Sequence, residues 1–593
     1  MLLLTWPILR DPAHVLLCDS TSEAMGHLWG LEVANEGLFR HGPFVRVTDQ
    51  VGFPDGFHAD FMDPVDLVVF SPVRRITQSP GLAWNALHVV WFAVGMIGCC
   101  ALARRLAPGR IWAGPILLAC GSLSAFFLSH DHFGRTEYLS ALALPLCLAW
   151  LHDALFGSSV RAAVGAGLAL GAMALGGWYV TVFSLLVVPP IALAWVLGSQ
   201  QAWARKALGL LVTATVALAL VMPAVISFAY GSEHFLATYA QRVVPTSPRS
   251  GVPGVMPFLQ QLRIPIPRMG AVGLDQPAYP GALAMLGALV GLARRRERRA
   301  IAGWLLLLLW ILVWAAGIDI VLAHDPFLDP EGRVVRSIPG LPRLLKHVIP
   351  ATGAMTSWNR LGAFVGLLAG IALVRSLASF PRWESWLRRG WPVVVLAILL
   401  DNLTWPRAFE LVPRTFDPRP PSDLVAVAKA LPPGALLLLP FDIGEPGLRP
   451  QMRQHYLLWQ RGLGHPITGT YGLAPEATMR RSGLSDIVLT LQNAAYMRAK
   501  GEPANVRTAI SLEDPLLGPC LRADLARLGD VGVSGIVLLV SMQYGDVIAP
   551  WLERWLGSPT TRSGTVSGWS LDAVFVPPLP ECTRFRLDNV SGH

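Results

Sequence analysis

The stretch LAWNALHVVWFAVGMIGCCALARR at residues 82–105 is an uncharged, mostly apolar run that ends at two arginines, Arg104 and Arg105. A helix needs about 20 such residues to cross a bilayer, and this run is long enough. Because the bilayer core has no water to satisfy exposed backbone polar groups, such a run crosses it as a helix. The stretch therefore predicts a membrane protein built from helices.

Working outward from this run, further apolar stretches recur along the chain, and the shorter ones are acceptable inside a bundle. They lie at 111–129, 138–156, 160–176, 178–198, 207–228, 279–293, 300–317, 357–378 and 391–405. We predict an α-helical polytopic membrane protein with about 10–11 transmembrane helices. The bundle occupies residues 82–405.

Basic residues cluster in alternate connections between these runs. Arginine and lysine are enriched in cytoplasmic loops, so the clusters predict which connections are cytoplasmic. The clusters are Arg104/Arg105/Arg110, Arg161, Arg205/Lys206, Arg294/Arg295/Arg296/Arg298/Arg299 and Arg382/Arg388/Arg389. The same alternation places residues 18–81, 229–278, 318–356 and everything after Pro406 outside.

Composition excludes several classes of soluble protein. The formal net charge is +9, but it is concentrated in these short turns, which suits anionic lipid and not nucleic acid. The seven cysteines form no C-x-x-C pair, so a zinc ribbon or a thioredoxin-like site is not supported.

The amino-terminal residues 1–17 are apolar but are interrupted by Arg10, Asp11 and His14. They are too short and too polar for an ordinary span. Of a truncated first span and a re-entrant or interfacial segment, we favour the truncated span. Residues 18–81 then form a first outer loop, and Ser22–Leu38 has the apolar spacing of a juxtamembrane helix on the membrane surface.

Hydropathy falls after Pro406, and residues 406–593 are predicted to form an extracytoplasmic α/β domain. The apolar runs 435–441 and 534–541 suit buried strands, and helical patterns flank them at 422–431, 522–530 and 547–557. Cys520 and Cys582 are the only cysteines here. One hypothesis is a disulfide between them, which an oxidising compartment permits.

The chemistry-bearing residues concentrate on the predicted outer face, since no common soluble-enzyme motif is present. In the turn SHDHFGRTE (129–137), His130, Asp131, His132 and Glu137 could ligate a metal, and Arg135 could pair with a phosphate. A hydrated turn with an internal Asp131–Arg135 bridge is the alternative.

Two further groups lie on the same face. Asp19 precedes a series of loop carboxylates, which could bind a metal or act as a general base toward a sugar hydroxyl; ordinary solvated charges are the alternative. Arg360 stands at the start of an apolar run, where it must find an anion or reach water. A lipid pyrophosphate would suit it, and simple snorkelling or a bridge to Asp401 is equally compatible.

Taken together, the layout resembles polytopic envelope glycosyltransferases of the GT-C fold, particularly uncharacterised bacterial relatives. The matching features are Asp19 with the Ser22–Leu38 helix, the FPDG turn (53–56), the Asp131–Glu137 loop and the Asn359–Arg360 pair. The carboxyl-terminal stretches are similar in order too: LPPGALLLLPF (431–441), HYLLW (455–459), GHPITGTY (464–471) and LRADLARLGDVGVSGIVLLV (521–540). One departure is that the usual first span is missing or truncated.

The resemblance implies transfer of a sugar from a polyprenyl-phosphate carrier to an envelope acceptor outside the membrane. It implies Asp19, Asp131 and Glu137 as catalytic residues. Substrate binding is assigned to Arg135, Arg360 and His132. The metal ligands stay unassigned, with a divalent metal as a candidate cofactor.

The implied partners are membrane lipid, the lipid-linked sugar donor and a glycan or lipid acceptor, without nucleic acid. The implied location is the inner (cytoplasmic) membrane, with the carboxyl-terminal domain outside the cytoplasm. The alternative is a non-catalytic membrane protein, either a transporter of lipid-linked saccharides or an envelope assembly component. A transporter would place polar or broken-helix residues near the midplane, whereas these spans are mostly Leu, Ala, Val and Gly.

Overall fold

The computed structural model divides the chain into two compact units. The first comprises Met1–Ala24 with Asp60–Phe416, and the second Met25–Ala59 with Asp417–His593. The residues it describes are 10–17, 24–51, 53, 56–60, 63–128, 136–240, 279–295, 297–315, 319–321, 337–339, 341, 345, 358–403, 415–439, 452–468, 515–530, 532–541 and 545–571.

Helices dominate the first unit. In chain order the helices of the molecule are α1 (Ala24–His41), α2 (Leu67–Thr77), α3 (Pro80–Leu106), α4 (Ala113–Cys120), α5 (Ala125–Leu128), α6 (Thr136–Leu139), α7 (Leu144–Phe156), α8 (Val160–Ala174), α9 (Trp178–Gly198), α10 (Trp203–Ala240), α11 (Ala282–Gly291), α12 (Arg298–Ala315), α13 (Gly362–Ala378), α14 (Glu384–Leu403), α15 (Ser422–Ala430), α16 (Met452–Leu463), α17 (Leu517–Asp530) and α18 (Gly545–Leu556). Single 3₁₀ turns precede α2, α7, α13 and α14, at Pro64–Asp66, Ser140–Ala143, Trp358–Leu361 and Pro381–Trp383.

Strands are few and short. They are β1 (Leu16–Leu17), β2 (Val45–Thr48), β3 (Phe57–Asp60), β4 (Asp319–Val321), β5 (Ser337–Pro339), β6 (Thr415–Phe416), β7 (Ala435–Leu439), β8 (Val533–Leu539), β9 (Thr561–Ser563) and β10 (Val566–Ser570). β1 pairs antiparallel with β6 and β4 with β5, and β2 forms a two-stranded sheet with β3.

Within the described residues, five helices are long and apolar enough to cross a membrane, and there are six if the bent pair α13–α14 is counted as one span. The five spans are Pro80–Leu106, Thr136–Phe156, Tyr179–Gly198, Trp203–Ser227 and Arg298–Ala315. The chain is thus a multi-pass membrane protein, as predicted, although α8 and α11 are shorter than a full span. The predicted run 111–129 divides into α4 and α5, because the chain turns at Gly121.

The longest of the five spans, α3, is anchored at its start by polar contacts. Ser79 caps it by accepting a hydrogen bond from the Leu82 amide at 3.2 Å, and Pro80 suits the first helical position. Asn85 accepts from the Leu17 amide at 2.9 Å and donates to the Val15 carbonyl at 2.7 Å. Residues 16–17 are therefore extended and held against α3; the predicted truncated span over 1–17 stays a prediction, since residues 1–9 lie outside the described part.

Ion pairs join the predicted cytoplasmic turns at one end of the bundle. Arg105 donates to Asp153 through Nε at 3.0 Å, and Arg375 to Glu297 at 2.5 Å. Arg110 lies 3.4 Å from Glu384. Since these pairs connect turns far apart in the sequence, the basic connections lie together; we call this the basic end.

The second unit is built around a four-stranded sheet of order β7-β8-β10-β9. β7 and β8 are parallel, while β10 is antiparallel to both β8 and β9. Its core includes the buried side chains Leu437, Ile536, Leu525 and Leu552. The predicted strands and their three flanking helices are found as β7, β8, α15, α17 and α18.

Helix α1 is grouped in the same unit, within the segment that the sequence predicts as the first outer loop. Residues 24–34 are buried on all faces, which differs from a helix lying on a membrane surface. Polar contacts also join the helix to α16: Arg461 bonds to Glu36 and lies 3.5 Å from the buried Glu32. The amide of Ile467 donates to the Gln50 carbonyl at 2.9 Å, so the two segments also share backbone contacts.

Cys520 of α17 is fully buried and disulfide-bonded. Its predicted pairing with Cys582 stays a prediction, because Cys582 lies outside the described residues. Four cysteines of the first unit are free thiols: Cys99, Cys100, Cys120 and Cys147.

Candidate active site

Arg360 lies at the end of the bundle opposite the basic end, in the 3₁₀ turn that precedes α13. One guanidinium nitrogen is 3.2 Å from Oε1 of Glu137, and the two side chains are only 11% and 18% exposed. Two hundred residues and several helices separate them in the sequence, yet they form one largely desolvated ion pair. Low exposure strengthens such a pair compared with a surface bridge, provided that both partners are present.

Two tyrosines flank the same guanidinium. Its central carbon lies 4.4 Å from the ring centroid of Tyr179, in the first turn of α9, and 5.2 Å from that of Tyr138 in α6. Aromatic faces attract a planar cation and restrict its orientation. Tyr138 is itself fixed, because it is buried and packs edge-on against Phe126 at 5.6 Å.

The carboxylate of Glu137 is positioned by a close backbone approach between α6 and the α8–α9 connection. A Cβ on Gly177 would lie 2.4 Å from the Glu137 carbonyl oxygen, and one on Gly176 would lie 2.1 Å from Cβ of Ser140. Only glycine allows this approach. Ser140 also donates to the Met173 carbonyl at 3.1 Å, which ties the same turn to α8.

A second buried carboxylate lies on neighbouring backbone. The Val65 amide donates to the Leu175 carbonyl at 3.5 Å, one residue before the Gly176–Gly177 pair. In the same turn, Asp66 is completely buried and accepts from Nε1 of Trp91 at 2.8 Å, while its other carboxylate oxygen has no hydrogen-bond partner among the residues that the structure describes. Burial, and secondarily the nearby Asp63, raise the pKa of Asp66 well above its usual value, although the Trp91 hydrogen bond opposes the shift.

The burial of Asp66 bears on the other carboxylates of the predicted first outer loop. Asp63 and Asp66 are buried at the same end of the bundle as Arg360, so they are not ordinary solvated charges. Glu32 and Glu36, from the same predicted loop, instead belong to the second unit with Arg461.

Metal ligation finds no support in the part of the chain that the structure describes, where no group of three or more His, Cys, Asp or Glu side chains could hold an ion. The predicted ligands His130, Asp131 and His132 lie outside that part.

Of the predicted site residues, the structure describes Glu137 and Arg360 and brings them together. Asp19, Asp131, His132 and Arg135 lie outside the described residues. The alternative bridge from Arg360 to Asp401 is not the pairing observed. Asp401 instead accepts from the hydroxyl of Tyr279 at 2.7 Å and from the Leu283 amide at 3.2 Å.

Sequence reasoning missed Tyr138, Tyr179 and the Asp66–Trp91 pair. Tyr138 directly follows Glu137, so the acidic turn itself carried a signal for one of them. Tyr179 sits in an apolar run that reads as an ordinary span start, and its contact with Arg360 depends on tertiary packing alone.

No protein-family model and no curated protein sequence matches the chain. Among solved structures, arabinofuranosyltransferase AftD from mycobacteria superposes with a TM-score of 0.54 at 15% identity, covering 96% of this chain and 39% of that one. The chain thus spans about two fifths of the length of AftD.

Two other structures are similar over most of this chain. ArnT from Cupriavidus metallidurans gives a TM-score of 0.48 at 16% identity, covering 97% of each chain. An oligosaccharyltransferase from Archaeoglobus fulgidus gives 0.48 at 11% identity, covering 95% of this chain and 72% of that one.

The likeness to AftD defines the class of protein. The chain is a polytopic membrane protein with the GT-C fold, and this confirms the fold that the loop and span motifs predicted. At 15% identity the likeness establishes the fold alone.

Proposed function

We propose that this protein transfers a sugar from a polyprenyl-phosphate-type lipid carrier to an envelope acceptor, a glycan or lipid, at the outer face of the inner membrane. The observation that carries the proposal is the Arg360–Glu137 pair, largely desolvated between two tyrosines. The GT-C fold supports the proposal, because AftD, a structure to which this chain is similar, is named as an arabinofuranosyltransferase.

Arg360 is assigned to the carrier phosphate. Its planar fork can donate two parallel hydrogen bonds to phosphate oxygens, and the rings of Tyr138 and Tyr179 hold that fork in a fixed plane. It opens a span on the predicted outer side, which is the depth of a lipid headgroup. The guanidinium would stabilise the negative charge that develops on the phosphate as it leaves.

A carboxylate is assigned to the acceptor. Asp19 is the candidate base: it takes the proton of the acceptor hydroxyl, whose oxygen forms a bond to the anomeric carbon as the bond from that carbon to the phosphate oxygen breaks. The displacement inverts the anomeric centre. Glu137 keeps Arg360 oriented before the donor arrives. Asp131 is assigned as a further catalytic carboxylate. Arg135 and His132 are assigned to substrate binding.

The orientation is part of the proposal. The basic end faces the cytoplasm by the positive-inside rule. The Arg360 end and the carboxyl-terminal domain then lie outside, with the acceptor.

Glycan profiling of a deletion strain tests the activity. Loss of one envelope glycan on deletion, restored by the wild-type gene but not by Asp19→Asn or Arg360→Ala, is the expected result. Arg105→Ala is a matched control, because it removes an ion pair at the basic end and should complement. An unchanged glycan profile on deletion would instead favour a non-catalytic membrane protein.

A further inference from the structure

A wedge-shaped apolar cavity opens near the basic end of the bundle. α13 and α14 are bent by 93° at the short break between them, so the two helices diverge from the turn Pro381–Trp383. The cavity between them and α11 measures about 600 Å³. Its lining is almost wholly apolar and includes Leu283, Gly287, Leu373, Leu377, Val393 and Ile398. We call this cavity the apolar wedge.

The wedge is large enough for a ligand and lacks polar groups to hold water. Its volume falls within the roughly 300–1,000 Å³ of small-molecule sites. A polar ligand would find no partner on such walls, whereas a hydrocarbon chain would fill them. In a span region, hydrocarbon chains are the surrounding solvent.

Aromatic contacts connect the wedge to a basic surface. Trp383, which lines the wedge, stacks on Phe380 with ring centroids 4.4 Å apart, and the guanidinium of Arg294 lies 4.4 Å from the Phe380 ring. The turn that carries Arg294 therefore adjoins the mouth. The exposed arginines of these two turns are Arg294, Arg295, Arg298, Arg299, Arg382, Arg388 and Arg389.

Acidic groups at the mouth are few and already engaged. Glu297 accepts from Arg375 at 2.5 Å, and Glu384 lies 3.4 Å from both Arg110 and Arg388. The surface beside the wedge therefore carries excess positive charge at the depth where Trp383 and Trp386 mark a membrane interface. Basic pockets between transmembrane helices on this side are typical of sites for anionic lipid headgroups.

We propose that the apolar wedge binds an anionic phospholipid, with an acyl chain in the wedge and its phosphate against the arginines of the two basic turns. The site is distinct from the one at Arg360. These two regions lie at opposite ends of α13, whose 17 residues span about 25 Å. The lipid fills the gap that the bend leaves and holds the α13–α14 pair at its angle.

Native mass spectrometry of the full-length protein tests the proposal after exchange into nanodiscs of phosphatidylglycerol or phosphatidylcholine. One tightly retained phosphatidylglycerol is expected. Ala397→Phe, which fills the wedge from α14, should remove it, whereas Leu396→Phe places the same ring on the exposed side of α14 and should not.

The headgroup contact is tested separately. Arg382→Gln with Arg389→Gln should lower the preference for phosphatidylglycerol roughly 25-fold, since each arginine near an anionic surface contributes about fivefold. The control pair Arg104→Gln with Arg161→Gln removes the same charge from other basic turns and should leave the preference unchanged.

Equal retention of the two lipids would overturn the proposal, as would retention that survives Ala397→Phe. A cross-linked dimer through the wedge would also overturn it, in favour of a second copy of the chain. None of these outcomes depends on glycosyl transfer, so the proposed function and this site can fail independently.

Discussion

Arg360 and Glu137 meet at 3.2 Å although they are carried by the 3₁₀ turn before α13 and by a four-residue helix more than 200 positions earlier. The pair is held from both sides: glycines fix the backbone of Glu137, and two tyrosines fix the plane of Arg360. An ion pair that is this constrained has lost the freedom to relax when a partner is removed. Substitutions here should therefore act strongly on function.

Substitutions of Arg360 should distinguish the contribution of its charge to activity from that of its planar, forked shape. Arg360→Ala should lower kcat/KM for the lipid donor by roughly 10²-fold, the usual effect of losing one donor to a developing anion. Arg360→Lys keeps the charge but not the fork, so it should fall between Ala and wild type. Transfer kinetics at varied donor concentration measure this; full activity of the alanine variant would contradict the assignment.

The tyrosine contacts should matter through the ring and not through the hydroxyl. Tyr179→Phe keeps the aromatic face and should retain activity close to wild type. Tyr179→Leu loses the cation–π contact, worth about 1 kcal/mol, and should weaken donor use about fivefold. An equal loss of activity in the two variants would mean that the hydroxyl group of Tyr179, and not its ring, is the functional part.

The buried position of Asp66 predicts that the stability of the folded protein depends on pH. Folding raises the pKa of Asp66, so the folded state binds the proton more tightly than the unfolded state. Its contribution is therefore most favourable below about pH 4, the ordinary pKa of an aspartate, and is lost as pH rises through the raised value.

Asp66→Asn cannot ionise and still accepts from Trp91. Its Tm relative to wild type should thus increase with pH from 4 to 8, as measured by thermal unfolding in detergent. The exposed Asp49→Asn is the control and should follow wild type. A constant difference across the range would mean that Asp66 does not titrate differently on folding.

Cys520 should be protected from labelling, because it is disulfide-bonded in the second unit. Thiol labelling of the denatured, non-reduced protein should modify Cys99, Cys100, Cys120 and Cys147 but not Cys520. Peptide mapping should then find it linked to Cys582. Closing that loop of about 60 residues would contribute roughly 4 kcal/mol in the chain-entropy model, so reduction should lower the Tm. A labelled Cys520 would contradict the bond.

Topology reporters should distinguish the two ends of the bundle. A reporter active only outside the cytoplasm should work after Pro406 and after His593, and fail after Arg295 in a basic turn. Cytoplasmic-type signal at Pro406 and His593 would overturn the orientation.

Much of the fold could be predicted from the sequence, because span length and charge act locally. The run 82–103 became α3, with ends within a few residues, and 207–228 lies within the longer helix α10. The strands at Ala435–Leu439 and Val533–Leu539 were equally readable, since buried parallel strands are continuous apolar runs.

What could not be predicted depends on tertiary contact. The sequence predicts a connection at Arg382 but not the 93° angle between α13 and α14, and the antiparallel pairing of β10 with β8 carries no sequence signal of its own. In the site, the sequence predicts Arg360 and the Asp131–Glu137 turn on one face of the membrane, but it does not single out Glu137 as the ion-pair partner of Arg360. Nothing in the sequence near Arg360 distinguishes Glu137 from Asp401.

Residues 25–59 and 417–593 form one compact unit, although residues 60–416 come between them. Ribosomal synthesis is directional, so the buried Glu32 is made long before its partner Arg461. Until then the early segment lacks the rest of its unit. The unit can therefore complete its fold only after residues 60–416 have been synthesised. For the same reason, a fragment that begins at residue 417 lacks α1, β2 and β3 of this unit and should be expressed as an insoluble product.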